Sequence, residues 1–164
     1  MIPIDLCELP VSSEDFNRLP DYLYTVVPQE VVESIKQNGL GNVQSTGAGV
    51  DGRKGFFLSA DPDICFDYAE GIHSESTDFV QYAVNTDDLK GKLFYDTNDY
   101  DTATFVAEMT GREVSGDYDY EEVEEMEQEY PSQSERAAAA WRLRENRLCF
   151  FAETVLPFDK IEEV

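Results

Sequence analysis

Two units, each an apolar run followed by a helical pattern, open this chain of 164 residues. The β-branched and aromatic run at 23–27 predicts a strand, and the apolar spacing within 28–38 predicts a short helix that ends at Gly39. The apolar run at 55–58 predicts a second buried strand. Between the units, residues 41–54 (GNVQSTGAGVDGRK) are polar and rich in glycine, which is typical of a loop. The pattern therefore favours an α+β fold.

Short strands and helices continue into the middle of the chain. The second strand leads into a helical pattern for which Ser59 or Asp61 is the expected cap. Alternating residues predict one strand within 77–89 and a shorter one within 90–96. The segment 98–111 carries apolar residues at helical spacing between an acidic start and a glycine, so it predicts a third helix.

An acidic block follows, with nine carboxylates and no basic residue between 113 and 129. Like charges at this density oppose compaction, so we interpret 113–131 as an acidic, partly ordered insertion within a single domain that spans 1–164. Val123, Met126 and Tyr130 recur at helical spacing, which predicts a helix that packs one edge on the core.

The last third of the chain is expected to hold a helix and a closing strand. Ser132 and Glu135 have the spacing of a capping box before an alanine-rich helix that ends near Asn146. The apolar run at 148–156 predicts a strand with Glu153 embedded in it. Glu153 is therefore a candidate functional residue, since a carboxylate inside an apolar strand requires an explanation. The alternative is an edge-strand carboxylate that points to solvent.

The charge of the chain limits its partners. Acidic residues number 35 against 12 basic ones, and the net charge is -23. Over a Debye length of roughly 8 Å this charge repels nucleic-acid phosphates, so direct binding to a duplex is not expected. The same charge suits a basic partner, including a nucleic-acid-binding protein. Simple solubility, or adaptation to a salty cell, explains the acidity equally well.

Several classes of protein are disfavoured by the sequence. The N-terminal segment lacks a basic region and an unbroken apolar stretch, so neither a secretion signal nor a membrane association is expected, and we expect a cytoplasmic protein. Three widely spaced cysteines and one histidine, His73, disfavour a disulfide framework or a metal site. Residues 41–54 contain no P-loop motif.

Three segments together resemble the ADP-ribosyltransferase family. They read LYTVVPQEVVESIKQNGL, GFFLSADPDICFDYA and AETVLPFDKI, in the order and spacing of that family. The resemblance extends to tRNA 2′-phosphotransferases, DNA-targeting ADP-ribosyltransferases and small phage-encoded transferases that modify host defence complexes. It implies an α+β fold of two small packed sheets with flanking helices, and NAD bound as a substrate in the cleft between them.

The resemblance also implies roles for particular residues. Glu153 matches the catalytic carboxylate that stabilises positive charge near the nicotinamide ribose. Thr25 stands where the family has a histidine or arginine, so either Arg53 or Lys54 contacts the pyrophosphate instead, or NAD binding is altered or lost. The implied NAD-binding residues are Tyr24, Thr25, Arg53, Phe57, Ser59 and Tyr68; Tyr24 and Tyr68 are alternatively core residues, and Ser59 a helix cap.

Two functions of different classes follow. The first is an NAD-dependent ADP-ribosyltransferase that modifies a protein or nucleic acid. One form of this hypothesis is a phage or mobile-element factor that acts on host defence. The second is a catalytically degenerate acidic inhibitor or nucleic-acid mimic that binds a basic partner protein. Glu153 favours the first function, and the missing basic residue at Thr25 favours the second.

Overall fold

The computed structural model describes residues 2–42 and 52–164. The described strands form one antiparallel sheet of six strands in the order β4-β5-β2-β1-β3-β6. This confirms the predicted α+β class, whereas most of the predicted loop, 43–51, lies outside the described residues. The strands are β1 (Tyr22–Pro28), β2 (Phe56–Ser59), β3 (Phe79–Asn85), β4 (Leu93–Tyr95), β5 (Cys149–Ala152) and β6 (Ile161–Glu163).

Helices flank this sheet and include those predicted from the apolar spacing. The first unit has its strand and helix as expected, with a short 3-10 turn between them. The first helix and the last strand of the structure were not predicted, since both are very short. The α-helices of the described residues are α1 (Ser13–Phe16), α2 (Val32–Asn38), α3 (Pro62–Ile72), α4 (Tyr100–Thr110), α5 (Tyr120–Glu129) and α6 (Gln133–Arg144).

The sheet is nearly divided between β1 and β2. These strands pair only at Tyr24 and Ser59, whereas β1 and β3 share seven residue pairs. Beside the single pair, the Thr25 hydroxyl donates to the Phe57 carbonyl at 2.7 Å. The expectation of two separate packed sheets is therefore wrong for the described strands, because this narrow junction joins two three-stranded halves, β4-β5-β2 and β1-β3-β6.

The two faces of the sheet bury different layers. Because side chains alternate along a strand, Leu58 and Phe150 lie on one face, in the main core with Phe105 of α4. Phe57 and Phe151 lie on the opposite face, in a smaller cluster against which Tyr68 of α3 packs. The helix α3 therefore covers the second face at the point where β1 and β2 separate.

One of the two predicted helix caps is confirmed and the other is wrong. The side chain of Asp61, not Ser59, caps α3 by accepting a hydrogen bond from the Asp63 N–H at 2.9 Å. Ser132 occupies the N-cap position of α6, but its side chain accepts no capping hydrogen bond and lies 3.0 Å from the Ser134 hydroxyl instead. The predicted capping box is therefore wrong.

The closing strand is shorter than the sequence predicts. β5 ends at Ala152, so Glu153 follows the strand and is not embedded in it. The N–H of Glu153 donates to the Lys92 carbonyl at 2.9 Å. Farther on, Leu156 exchanges backbone hydrogen bonds with Leu40 rather than with β2. The chain leaves the sheet because its next backbone partner lies after α2.

The acidic block contains an ordered helix. The apolar edge of α5 packs as predicted, with Met126 only 8% exposed and Val123 and Tyr130 against the main core. Glu122 on the same helix forms a salt bridge with Arg144 of α6. Charge repulsion within the block is thus opposed by apolar contacts along one edge and by a cation from outside it.

Arg144 links three helices through buried charge. Its guanidinium lies 2.7 Å from Glu108 of α4 and also contacts Glu122 of α5. Glu108 is fully buried and Arg144 is 3% exposed. Burial raises the pKa of Glu108 to about 7, although the nearby Arg144 lowers it. Two carboxylates share one cation, so removing that cation leaves uncompensated buried charge.

We expect Arg144→Met to lower the free energy of unfolding by about 3–5 kcal/mol, because it leaves Glu108 buried without a cation. Denaturant unfolding at pH 8 measures the change. Arg142→Met is the matched control, since Arg142 lies on the same helix but is exposed. Equal effects of the two substitutions would show that the buried pair does not hold the three helices together.

Candidate functional site

A small cavity lies between α3 and the junction of β1 and β2. Its volume is about 30 Å³, which admits one or two water molecules. Four kinds of side chain line it: apolar, aromatic, hydroxyl and titratable. They are Thr25 and Val26 of β1, Phe57, Leu58 and Ser59 of β2, Ile64, Cys65, Tyr68, Ala69 and Ile72 of α3, and His73, Asp96 and Cys149.

Asp96 is the carboxylate of this cavity. It directly follows β4, where its N–H donates to the Cys149 carbonyl at 3.0 Å. Its side chain is fully buried, and Oδ1 accepts hydrogen bonds from the Asn98 N–H at 3.1 Å and the Cys7 thiol at 3.6 Å. Oδ2 has no hydrogen-bond partner within 2–42 and 52–164. A buried polar atom of this kind requires an explanation.

The surroundings of Asp96 shift several pKa values upward. Burial raises the pKa of Asp96 to about 7, and the charge of Asp99 adds to the effect. Burial and the Asp96 carboxylate also raise the pKa of the Cys7 thiol to about 12, and both raise the pKa of Tyr68. Near neutral pH, Asp96 can therefore exchange a proton while the neighbouring thiol and phenol stay neutral.

An ion pair lies next to the cavity. Arg53 Nη2 lies 2.7 Å from Glu153 Oε2, and Nη1 donates to the Cys7 carbonyl at 2.9 Å. The guanidinium lies between two aromatic rings, 4.6 Å from the centroid of Phe94 and 4.9 Å from that of Phe151. The side chain of Arg53 is 15% exposed and that of Glu153 is 41% exposed. The pair therefore opens to solvent on the carboxylate side.

Packed side chains connect the cavity with the ion pair. The ring of Phe57 lies 5.6 Å from Tyr68 and 5.2 Å from Phe151, and Phe151 in turn contacts Arg53. Cys7 makes a second connection, because its thiol donates to Asp96 and its carbonyl accepts from Arg53. Phe151 and Cys7 make these connections, although neither residue lines the cavity.

Four of the seven predicted site residues line the cavity itself. Phe57 and Tyr68 contribute aromatic rings. Thr25 and Ser59 also line it, but their hydroxyls already donate to the carbonyls of Phe57 and Leu148. These two residues are 3% and 1% exposed, so in this conformation their hydroxyls join the strands.

The other three predicted residues lie outside the cavity lining. Arg53 and Glu153 are brought together in the adjacent ion pair. Tyr24 does not line the cavity; it packs against a cluster that contains Val26 and Cys65, and its carbonyl accepts a hydrogen bond from the Cys65 thiol at 3.0 Å. For Tyr24, the alternative of a core residue agrees with the structure.

Sequence reasoning missed Asp96. One signal was available in the sequence. Asp96 follows the apolar run 93–95 and lies two residues after Phe94. Side chains two residues apart in a strand point to the same face. The pattern cannot tell which helix covers that face. Only the packing of α3 shows that Asp96 lines a cavity.

The lining suits a nicotinamide ring in chemistry but not in volume. Aromatic walls and a carboxylate match a flat ring with polar substituents, whereas ligand pockets measure several hundred Å³. The cavity of about 30 Å³ is far smaller. Binding of NAD would therefore require α3 to move away from β1 and β2.

Comparisons with protein families, curated proteins and solved structures find no match to this chain. The function must therefore be argued from the site itself. Within 2–42 and 52–164, no group of three histidine, cysteine or carboxylate side chains is arranged to hold a metal ion. Over the same ranges, no helix combines the length and apolar character needed to cross a membrane.

The raised pKa of Asp96 predicts a pH dependence of stability. Its pKa rises from 3.8 to about 7 on folding. The protonated carboxyl therefore makes its full contribution to the free energy of unfolding below pH 3.8. That contribution is lost as the pH rises through the folded-state pKa of about 7. The free energy of unfolding of the wild type minus that of Asp96→Asn should fall between pH 5 and 7, by up to about 1.4 kcal/mol per unit.

Denaturant unfolding at several pH values measures this difference, which should level off above pH 7. Asp101→Asn removes a carboxylate that does not line the cavity, so it should give a curve parallel to that of the wild type. A pH-independent difference for Asp96→Asn would contradict the raised pKa.

Proposed function

We propose that this protein is an NAD-dependent ADP-ribosyltransferase that modifies a protein or nucleic-acid target. The observation that carries the proposal is the placement of the Arg53–Glu153 pair beside an aromatic cavity at the junction of two half-sheets. The first two segments that resemble the family supply β1 and β2, and the third begins at Ala152, the last residue of β5; these three strands are neighbours in the sheet. The resemblance implies an NAD site in a cleft between two small sheets; here the described strands form one sheet, and the cavity lies beneath α3 at the junction of its two halves.

Arg53 is the group suited to the pyrophosphate. A guanidinium binds phosphate oxygens through paired hydrogen bonds, but Arg53 is already bonded to Glu153 at 2.7 Å. A pyrophosphate would compete with the carboxylate for the same N–H groups. Binding of NAD would thereby release the Glu153 carboxylate, which is partly exposed, toward the ribose.

Glu153 is the group suited to the reaction. Departure of nicotinamide from NAD leaves positive charge on the ribose, and a carboxylate placed beside the ribose stabilises that charge. Phe57 and Tyr68 would hold the ring and exclude water from it. Thr25 would not contact the pyrophosphate as a basic residue at its position would. Its hydroxyl instead links β1 to β2 by a hydrogen bond.

We expect Glu153→Gln to retain the fold while lowering the rate of ADP-ribose transfer by about 100-fold or more, because the amide cannot stabilise positive charge. Release of nicotinamide and mass spectrometry of added ADP-ribose on proteins and nucleic acids measure the rate. Glu8→Gln is the control, since Glu8 is the other carboxylate near Arg53, at 3.6 Å. Absence of NAD turnover by the wild type would overturn the transferase proposal.

A second candidate function is an acidic inhibitor that binds a basic, nucleic-acid-binding protein. The observation that favours it is the ordered helix α5, whose outward residues Glu121, Glu124 and Glu125 are exposed. Tyr120 at its start is 62% exposed. A regular row of carboxylates with an exposed tyrosine suits a basic protein surface.

The two candidate functions predict opposite effects for two sets of substitutions, Glu153→Gln and the lysine substitutions in α5. For the inhibitor, replacing Glu121, Glu124 and Glu125 with lysine should weaken capture of basic proteins from host extract and reduce its salt dependence. Glu122 is left unchanged because it pairs with Arg144. Glu153→Gln should then be silent. Capture unaffected by the lysine substitutions would exclude the acidic helix as the binding surface.

A further inference from the structure

A second cavity lies where β1 begins and β3 ends. Its volume is about 420 Å³, which is within the range of small-molecule pockets. Among the residues that the structure describes, none lines both this cavity and the one under α3. The second cavity is therefore a separate place on the molecule, and it is large enough for a ligand without movement of a helix.

Hydrogen bonds between backbone and side chain hold the frame of this cavity. Tyr22 of β1 lies directly opposite Asn85 of β3 in the sheet register. The next residue, Thr86, is buried, and its N–H donates to the Asp21 carbonyl at 2.9 Å. Its hydroxyl donates to the Pro20 carbonyl at 2.6 Å. The chain that enters β1 and the chain that leaves β3 are thus joined at the cavity before any ligand binds.

The polar side chains of the lining include both donors and acceptors of hydrogen bonds. The carboxylates of Asp21 and Asp87 are exposed and can only accept. The amides of Asn17 and Asn85 can also donate; Asn85 Oδ1 already accepts from the Asp87 N–H at 3.0 Å, which leaves its NH₂ group for a ligand. An ammonium or guanidinium group would give the amide NH₂ groups no acceptor, whereas hydroxyl groups both donate and accept. The lining therefore suits a ligand with several hydroxyls.

The apolar side chains of the lining indicate a ligand with an apolar face as well. Tyr22 is 44% exposed, and Phe16 and Leu19 are partly buried against the main core. A tyrosine ring offers a flat apolar surface, on which the C–H face of a sugar ring packs. No lysine or arginine is among the described lining residues, so the two carboxylates disfavour phosphates and other anions. A neutral sugar meets these requirements, and a nucleotide does not.

We propose that this cavity binds a neutral sugar, with its ring packed on Tyr22 and its hydroxyls bonded to the carboxylates and amides of the lining. The inference goes beyond the proposed transferase function and does not depend on it. Arg53 and Glu153, which carry that function, do not line this cavity.

The experiment titrates glucose, galactose, mannose and N-acetylglucosamine separately into the isotope-labelled full chain and follows the amide resonances by NMR. At least one of the sugars should shift the resonances of Tyr22 and Asn85. Tyr22→Ala should lower its affinity about tenfold or more, because the packing surface is lost. Tyr22→Phe keeps the ring and should retain most of the affinity. Tyr100→Ala is the matched control, since Tyr100 is 51% exposed but does not line the cavity, and it should bind as wild type does.

The alternative ligand is an organic cation, and methylguanidine added in the same way tests it. Tighter binding of methylguanidine than of every sugar at these resonances would overturn the proposal in favour of a cation site. So would a lack of shifts at Tyr22 and Asn85 with all four sugars, or equal affinity of Tyr22→Ala and wild type. None of these results changes the assay of NAD turnover, so failure of the sugar site is distinguishable from failure of the transferase proposal.

Discussion

The junction between β1 and β2 is the constraint on which the site depends. One residue pair, Tyr24 with Ser59, and one side-chain hydrogen bond, from Thr25 to the Phe57 carbonyl, join the two halves of the sheet. Buried backbone carbonyls require a donor, and here a threonine hydroxyl supplies the one that a paired strand would otherwise give. Beyond the single pair, the two strands can therefore diverge while this hydrogen bond is kept, and the cavity lies between them and α3.

The few cations near this junction and in the core are placed against buried or half-buried carboxylates. Arg53 bonds to Glu153 beside the cavity, and Arg144 bonds to Glu108 between the helices. In a chain of net charge -23, each such pair also offsets repulsion from the rest of the molecule. Asp96 lacks a cation in hydrogen-bond contact among the described residues, which is why burial raises its pKa further than its hydrogen bonds lower it.

The local sequence pattern was sufficient to predict most helices and strands. It was insufficient to predict the contacts between them. The apolar spacing predicted β1 to β5 and the edge of α5, because burial of one face depends on periodicity alone. It gave the wrong end for the closing strand, since Leu156 pairs with Leu40 far away in sequence. It assigned a capping role to Ser132 from spacing that the side chain does not use. Asp96 was missed because its burial depends on where α3 packs.

The hydroxyl of Thr25 explains how the first strand can lack the basic residue that the resemblance implies. A long charged side chain at this 3% exposed position would have to occupy the gap that the threonine hydroxyl now bridges. In the site that we propose, the cation is Arg53, just before β2, where Phe94 and Phe151 hold the guanidinium by cation–π contact. Its position next to Glu153 places the positive and negative groups of the site on one side of the cavity. Under the transferase function that we propose, Arg53 and Glu153 would supply the charges of the reaction, while Thr25 serves the junction.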